Sequence, residues 1–242
     1  MTPLWHWVAL PRWSPSTVLG LDGHPRRDES DVPADLPRRM FAGGTVTFHA
    51  PIVVGSRITR HTTVRSSDMK QGRSGRFLLR QNKTTAYAES GAPLLTEQQN
   101  IVYRPAATVG TSGAQPSAPA SPVTPLERTP QGWTFRTDPT LLMRFSAATA
   151  NAHRIHYDWP YATTIEGHPG LLVHGPLSAI VLAETLRLDR PDHPVQRITH
   201  RNLAPLFCGT SAAITTAADS SEVTLTVTAG ATRITTMTAQ LG

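Results

Sequence analysis

Between positions 151 and 158 the chain crowds an asparagine, two histidines, an arginine, a tyrosine and an aspartate into Asn151-Ala152-His153-Arg154-Ile155-His156-Tyr157-Asp158. Histidine is the side chain that most readily takes and gives a proton near neutral pH. Further along, His174-Gly175-Pro176 opens an apolar run that reads as a helix. A helix N-terminus presents unpaired backbone N–H groups and the positive end of a dipole. Such a terminus can hold a carbonyl oxygen that becomes negative in a transition state. A histidine next to an oxyanion site suits chemistry beside a carbonyl.

Each of these residues also has a plainer reading. His153 and His156 are spaced i, i+3 with Asp158 behind them, so a metal site is weighed. On an irregular loop that spacing carries little geometric force, and no metal is expected. His174 before a helix could simply hydrogen-bond backbone. His168-Pro169-Gly170 reads as a turn. Ser146 and Ser178 lack a nucleophile-elbow pattern, which argues against a serine hydrolase. Cys208 lies in an apolar strand-like stretch, where burial is the ordinary explanation.

The elements that must position these groups are partly legible. Val223, Leu225 and Val227 alternate with Thr224, Thr226 and Thr228, a period of two rich in β-branched residues. Gly230 interrupts the run and Ile234–Leu241 resumes it, as in an antiparallel hairpin or meander. In the first half Ile58–Val64, Phe77–Gln81 and Ala92–Tyr103 read similarly, with Gly72-Arg73-Ser74-Gly75 as a turn. Asp138 reads as an N-cap with Pro139 at the first helical position. The helix from Gly175 carries apolar residues on more than one face (Leu177, Ile180, Val181, Leu186), so it should be largely buried. A buried helix beside a long antiparallel sheet is an α+β arrangement.

Residues 105–130 are rich in Pro, Ala, Ser and Thr and read as a linker between halves 1–104 and 131–242. Ala50-Pro51-Ile52-Val53-Val54-Gly55-Ser56 is echoed by Ala204-Pro205-Leu206-Phe207-Cys208-Gly209-Thr210 at a matching place in the second half, which favours a duplicated fold. The 242 residues, 39% hydrophobic and 17% charged, suit a globular protein. The single cysteine excludes an internal disulfide. No run approaches a membrane span and the first residues lack a signal-peptide pattern, so a cytoplasmic protein is expected. The net charge is +6, and apart from Lys70 and Lys83 the basic residues are arginines. Without a basic run longer than two, nucleic acid is not the expected partner. A phosphate-bearing carrier fits, because arginine forks match phosphate oxygens.

The 151–158 run, together with Gly170-Leu171-Leu172-Val173-His174-Gly175-Pro176, resembles the MaoC-like hydratase/dehydratase superfamily. The resemblance is nearest to the branch with mitochondrial-type 3-hydroxyacyl-thioester dehydratase and mesaconyl-C4-CoA hydratase. Leu4-Trp5-His6-Trp7, Leu21-Asp22-Gly23-His24-Pro25, Leu36-Pro37-Arg38-Arg39-Met40, Ala42-Gly43-Gly44, Gly72-Arg73-Ser74-Gly75 and Val102-Tyr103-Arg104 are similar to the same branch. It implies a double hotdog, each curved sheet wrapping a helix, with the first half mainly scaffold and the second carrying the site. It places the catalytic histidine on His156, Asn151 where the superfamily has an aspartate, and His153 where it has an asparagine. The thioester oxygen is to be held by the Gly175 N–H, with His174 and Tyr157 around the substrate and Arg154 either facing a substrate carboxylate or phosphate or pairing with Asp158; Asn151 is to hold the water or hydroxyl, and His153 to be a second acid/base or a brace for the loop. Family members also have a segment ahead of the Trp-His-Trp motif, so a shortened helix is expected in the first half.

The expected function is addition or removal of water across the α,β double bond of an acyl thioester, on coenzyme A or an acyl carrier protein, with no cofactor beyond that carrier. The rivals are a hotdog thioesterase, an acyl-thioester-binding protein without turnover, and addition of another nucleophile. Self-association and the acyl group stay open.

Overall fold

A computed structural model describes residues 1–26, 32–72, 75–106, 123–219 and 222–242. Ten strands make one antiparallel sheet: β1 (Arg38–Phe48), β2 (Ile58–Gly72), β3 (Gly75–Ala88), β4 (Pro93–Arg104), β5 (Leu126–Thr129), β6 (Gly132–Phe135), β7 (Val195–Asn202), β8 (Ala212–Ala218), β9 (Glu222–Ala229) and β10 (Thr232–Leu241). Their order is β2-β3-β4-β1-β7-β10-β9-β8-β6-β5. Reading outward from the central β1–β7 pair, each half repeats one arrangement: its first long strand, then the fourth, third and second. β1 and β7 pair with Val46 opposite Ile198. The two echoed segments precede β2 and β8, which hold mirror positions in this order. The duplication suggested by seven residues is thus carried by the order of four strands in each half, that of a double hotdog, with β6 and β5 added beyond β8.

The alternating Val and Thr of β9 behave as their period dictates: Val223, Leu225 and Val227 are fully buried, and the partner β10 buries Ile234, Met237 and Ala239. β2 is a mostly exposed edge strand. Its Arg60, Arg65, Asp68 and Lys70 discourage pairing with another chain. Most of the stretch expected as a linker, residues 107–122, lies outside the described residues, as do Arg73 and Ser74 of the expected turn. Leu126–Thr129, at the end of that stretch, instead form β5 and pair with β6, Leu126 opposite the fully buried Phe135.

Three α-helices are described: α1 (His6–Ala9), α2 (Pro139–Ala148) and α3 (Gly175–Asp189). α2 starts as its sequence predicts, the Asp138 carboxylate accepting the Leu141 N–H at 2.7 Å. α3 buries Leu177, Ala179, Ile180, Val181, Leu182, Ala183 and Leu186, so its faces are covered almost all round. Burying each large apolar side chain of this kind contributes ~1.5–3 kcal/mol. The main core runs across both halves, joining Leu4, Val46 and Leu95 to Leu182, Ile198 and Leu225. A smaller cluster of Leu36, Leu78, Ile101 and Tyr103 lies in the first half. There the described residues supply the four-residue α1 and the single turn Ser16–Val18. Among the described residues no helix is long and apolar enough to cross a membrane.

Candidate active site

The polar run leaves α2 through Ala150, whose φ of 52° turns the chain aside. Asn151 then fixes the exit twice. Its N–H donates to the Ser146 carbonyl (2.9 Å) and its Oδ1 accepts the His153 N–H (3.2 Å). Arg154–His156 form one tight helical turn. The Leu172 N–H donates to the Ile155 carbonyl at 3.0 Å, which laces this turn to the strap entering α3. The Val173 N–H is held in turn by the Leu206 carbonyl at 2.8 Å.

His156 is buried, and its Nδ1–H donates to the Leu172 carbonyl at 2.8 Å. A carbonyl only accepts, so this bond places the proton on Nδ1 and leaves Nε2 as the basic nitrogen. Leu172 lies three residues before Gly175, so the bond that sets the tautomer also ties His156 to the start of α3. The His156 ring stacks on His174 (centroids 3.6 Å, 19°) and meets His153 edge-on (5.6 Å, 89°). His174 is fully buried and shares a 2.9 Å hydrogen bond through Nε2 with the Ser146 hydroxyl. A Cβ at Gly175 would run into the Asn202 amide, with Phe41 Cδ1 3.4 Å away, so only glycine lets the helix begin here.

All these rings are held neutral. Burial lowers His156 to about 4, against the bond to Leu172, with His24 and His168 adding to the fall. Burial, then the neighbouring His24 and His156, lower His153 to about 2. His174 is pushed down by burial and by His156 and His153. At neutral pH His156 is therefore a base, and its protonated form is a ready acid.

The first half reaches into this site. Gly23 sits so close to the Ala152 carbonyl that any Cβ would collide with it. The Arg154 N–H donates to the Asp22 carbonyl at 2.9 Å, and Arg154 Nη1 to the Leu21 carbonyl at 3.0 Å. Asp22 Oδ1 accepts the His24 backbone N–H (3.0 Å) and Oδ2 faces His24 Nδ1 (3.1 Å). The His24 ring packs on His153 with centroids 4.3 Å apart. Burial alone would raise the Asp22 carboxyl. The hydrogen bonds and charge of His24, with His153 behind it, outweigh that and lower it to about 2. On a further side, Arg38 pairs with Glu166 (2.7 Å) and contacts His168 Nε2 (3.2 Å). Burial, then Arg38, lower His168 to about 4.

His153, His156, His174 and the start of α3 at Gly175 come together. Asn151 braces the loop beside them. Arg154 is engaged by Asp158 through Nε (2.8 Å) and Nη2 (2.7 Å), and lies over the Tyr161 ring. The Tyr157 hydroxyl donates to the Ala152 carbonyl at 2.8 Å on a half-exposed side chain. Sequence reasoning passed over Ser146 as His174's partner, His168, and above all Asp22 and His24. The density of Asp22-Gly23-His24 was the available signal. Asp22, His24 and His153 each offer a ligand atom within 4.8 Å of the others, the one such grouping of metal-ligating types among the described residues.

This arrangement has relatives. The chain is 42% identical over 214 residues to mesaconyl-C(4)-CoA hydratase of Chloroflexus aurantiacus, covering 86% of this chain and 71% of that one. It is 23% identical over 223 residues to the mitochondrial hydroxyacyl-thioester dehydratase type 2 of Schizosaccharomyces pombe, covering 86% and 74%. Among solved structures, HtdX of Mycobacterium tuberculosis superposes with a TM-score of 0.65 at 17% identity, over 98% of this chain and 93% of that one. A conserved hypothetical protein of the same organism, described as a double hotdog, matches with a TM-score of 0.51 at 13% identity, over 86% and 75%. The structural likenesses bear on the fold. The model of the hydroxyacyl-thioester dehydratase type 2 family matches residues 4–208, a span that takes in both the first-half turn at Asp22–His24 and the histidine cluster it packs on. With that match and the 42% identity, the chain belongs to the hydroxyacyl-thioester dehydratase type 2 family.

Proposed function

We propose that this protein is a hydro-lyase that adds or removes water across the α,β double bond of an acyl thioester carried on coenzyme A or an acyl carrier protein. The observation that supports this best is His156. Its tautomer is set by a carbonyl of the same strap that opens α3, so a basic Nε2 and a helix N-terminus are delivered as one unit. In dehydration His156 Nε2 takes the Cα proton of a 3-hydroxyacyl thioester. The thioester oxygen gains negative charge against the Gly175 N–H, one such donor being worth about 3–4 kcal/mol at the transition state. The C–H electron pair becomes the C=C bond, the C–O bond at Cβ breaks, and the leaving hydroxyl takes a proton from an acid of the site and departs as water; hydration is the reverse. These steps ask the protein only to move protons and hold an oxyanion, so the proposal includes no cofactor beyond the carrier. Arginine-rich character suits the carrier's phosphates. A cytoplasmic setting is part of the same reading.

The test is to incubate the protein with crotonyl-CoA, mesaconyl-CoA and 3-hydroxybutyryl-CoA and follow enoyl absorbance. The expected result is turnover of at least one, lost by about 10²–10⁴-fold in His156→Ala. Release of free thiol in place of an absorbance change would assign a thioesterase.

A further inference from the structure

Asn151 stands where the resemblance expects an acid/base carboxylate, and an amide has no proton to exchange at useful pH. Its Oδ1 is moreover committed to the His153 N–H. Among the described residues, a carboxylate from the other half of the chain, Asp22, lies within 4.8 Å of ligating atoms of His24 and His153. Asp22 grips His24 at two points, the backbone N–H and the ring Nδ1. The contact at Nδ1 orients the His24 ring, and the carboxylate is placed to balance the charge of a doubly protonated ring. The turn is not loosely apposed. Gly23 packs on Ala152 at backbone distance, and two Arg154 hydrogen bonds hold residues 21 and 22 to the loop that carries His156. His24 lies against His153, which meets His156 edge-on, so the three rings form one file.

We infer that His24, positioned by Asp22, is the second acid/base of this site and works on the oxygen at Cβ while His156 works at Cα. This rests on the hydro-lyase reading. In dehydration His156 Nε2 accepts the Cα proton. The C–H electron pair becomes the new C=C bond. The C–O electrons leave with the oxygen, which takes a proton from His24 Nε2 and departs as water. One proton is taken and one given, so His156 ends protonated and His24 neutral, and exchange with solvent resets both. Hydration runs the same steps backward, His24 taking a proton from the attacking water. The first half thereby supplies the carboxylate–histidine function that position 151 does not.

The experiment compares wild type, Asp22→Asn, His24→Gln and His156→Ala on two substrates, 3-hydroxybutyryl-CoA and 3-chlorobutyryl-CoA. Chloride leaves without a proton, so a group that acts only on the leaving oxygen is dispensable for it. The expected result for Asp22→Asn and His24→Gln is a fall in kcat of about 10²–10⁴-fold on the hydroxy substrate, with KM little changed. Chloride elimination should stay within about threefold of wild type, while His156→Ala loses both reactions. Retained chloride elimination also shows that the variants fold. Equal loss on both substrates, or no loss on either, overturns the proposal. So does activity that is abolished by chelator and restored by Zn²⁺, which would assign Asp22, His24 and His153 to a cation. A wild type inactive on every thioester overturns the hydro-lyase reading itself, and this inference with it.

Discussion

Among the described residues, the first half holds two carboxylate–histidine pairs in different surroundings. Glu97 on β4 and His6 on α1 are both buried, with Glu97 Oε2 3.4 Å from His6 Nε2. Glu97 Oε1 accepts the Trp7 indole N–H (2.7 Å) and a Gln99 amide N–H (2.8 Å). Burial would raise this carboxyl, yet His6, Gln99 and Trp7 together lower it. His200 completes the cluster, its ring 5.6 Å from Trp7, with neither ring nitrogen hydrogen-bonded among the described residues. The other pair, Asp22–His24, keeps some exposure and lies on a turn pressed against the loop that carries His153 and His156. The same residue types therefore do two jobs. A carboxylate whose oxygens are occupied by indole, amide and imidazole inside the core fastens α1 to the sheet. Under the proposal, Asp22, bonded to His24 beside the His153 ring, positions an imidazole that moves a proton. The neighbours and the partial exposure of Asp22 and His24 separate the two.

The comparison breaks most sharply where the two clusters approach each other, at Gly175. Its Phe41 neighbour stands 5.4 Å from the His200 ring. Asn202, which a Cβ at 175 would strike, is held by Phe41 O (3.0 Å) and Thr235 (3.0 Å) and has little room to yield. Gly175→Ala should lower kcat by about 10²–10³-fold, as loss of an oxyanion donor does. Steady-state kinetics checks this, and Asn202→Ala in the same chain should recover part of the loss. No recovery would mean that the N-terminus of α3 tolerates displacement.

Next in size is Glu97→Leu. It leaves the partly buried Trp7 and Gln99 donors without their acceptor, at up to about 1–3 kcal/mol each. The expected outcome is a large drop in the denaturation midpoint with kcat per folded molecule unchanged. Asp22→Asn should do the opposite, and a variant that shifted both quantities equally at both sites would erase the distinction.

The smallest effect is in the pH dependence of stability. His156, His168 and His200 are lowered by burial from an ordinary value of 6.5 to about 4. The unfolded chain binds these protons first, so their contribution is complete above about pH 6.5 and is lost as pH falls toward about 4. Asp22 and Glu97 have the acidic counterpart: stability present above the ordinary carboxylate range and lost below it, through about 2 for Asp22. Urea titrations at pH 7.5, 5.5 and 4 should show a falling midpoint. His200→Phe should flatten the slope between 7.5 and 5.5 without moving the pH–rate profile.

Much of the second half was legible in its residues. The alternation in β9 and β10, the Asp138-Pro139 cap and the apolar faces of α3 are local patterns, and each element formed where its pattern lay. β1 was not legible, because Arg38-Arg39-Met40-Phe41-Ala42-Gly43-Gly44 carries no period. It is a strand because β4 and β7 bond to it on both sides. β7 is similar, since Arg197, Thr199 and Arg201 flank its two buried residues, Ile198 and His200.

By itself, then, the sequence determined an α+β chain with an antiparallel C-terminal sheet, a buried helix starting at Gly175, and His156 as the residue to watch. Only the tertiary structure decided which nitrogen of His156 is basic, through a carbonyl on a separate strap. Only it brought Asp22 and His24 from the first half onto Ala152, Arg154 and His153 in the second. The reason is physical. Secondary structure follows from short-range period and capping, which a sequence displays directly. An active site depends on contacts between segments far apart in the chain, and those exist only once the core has closed around α3.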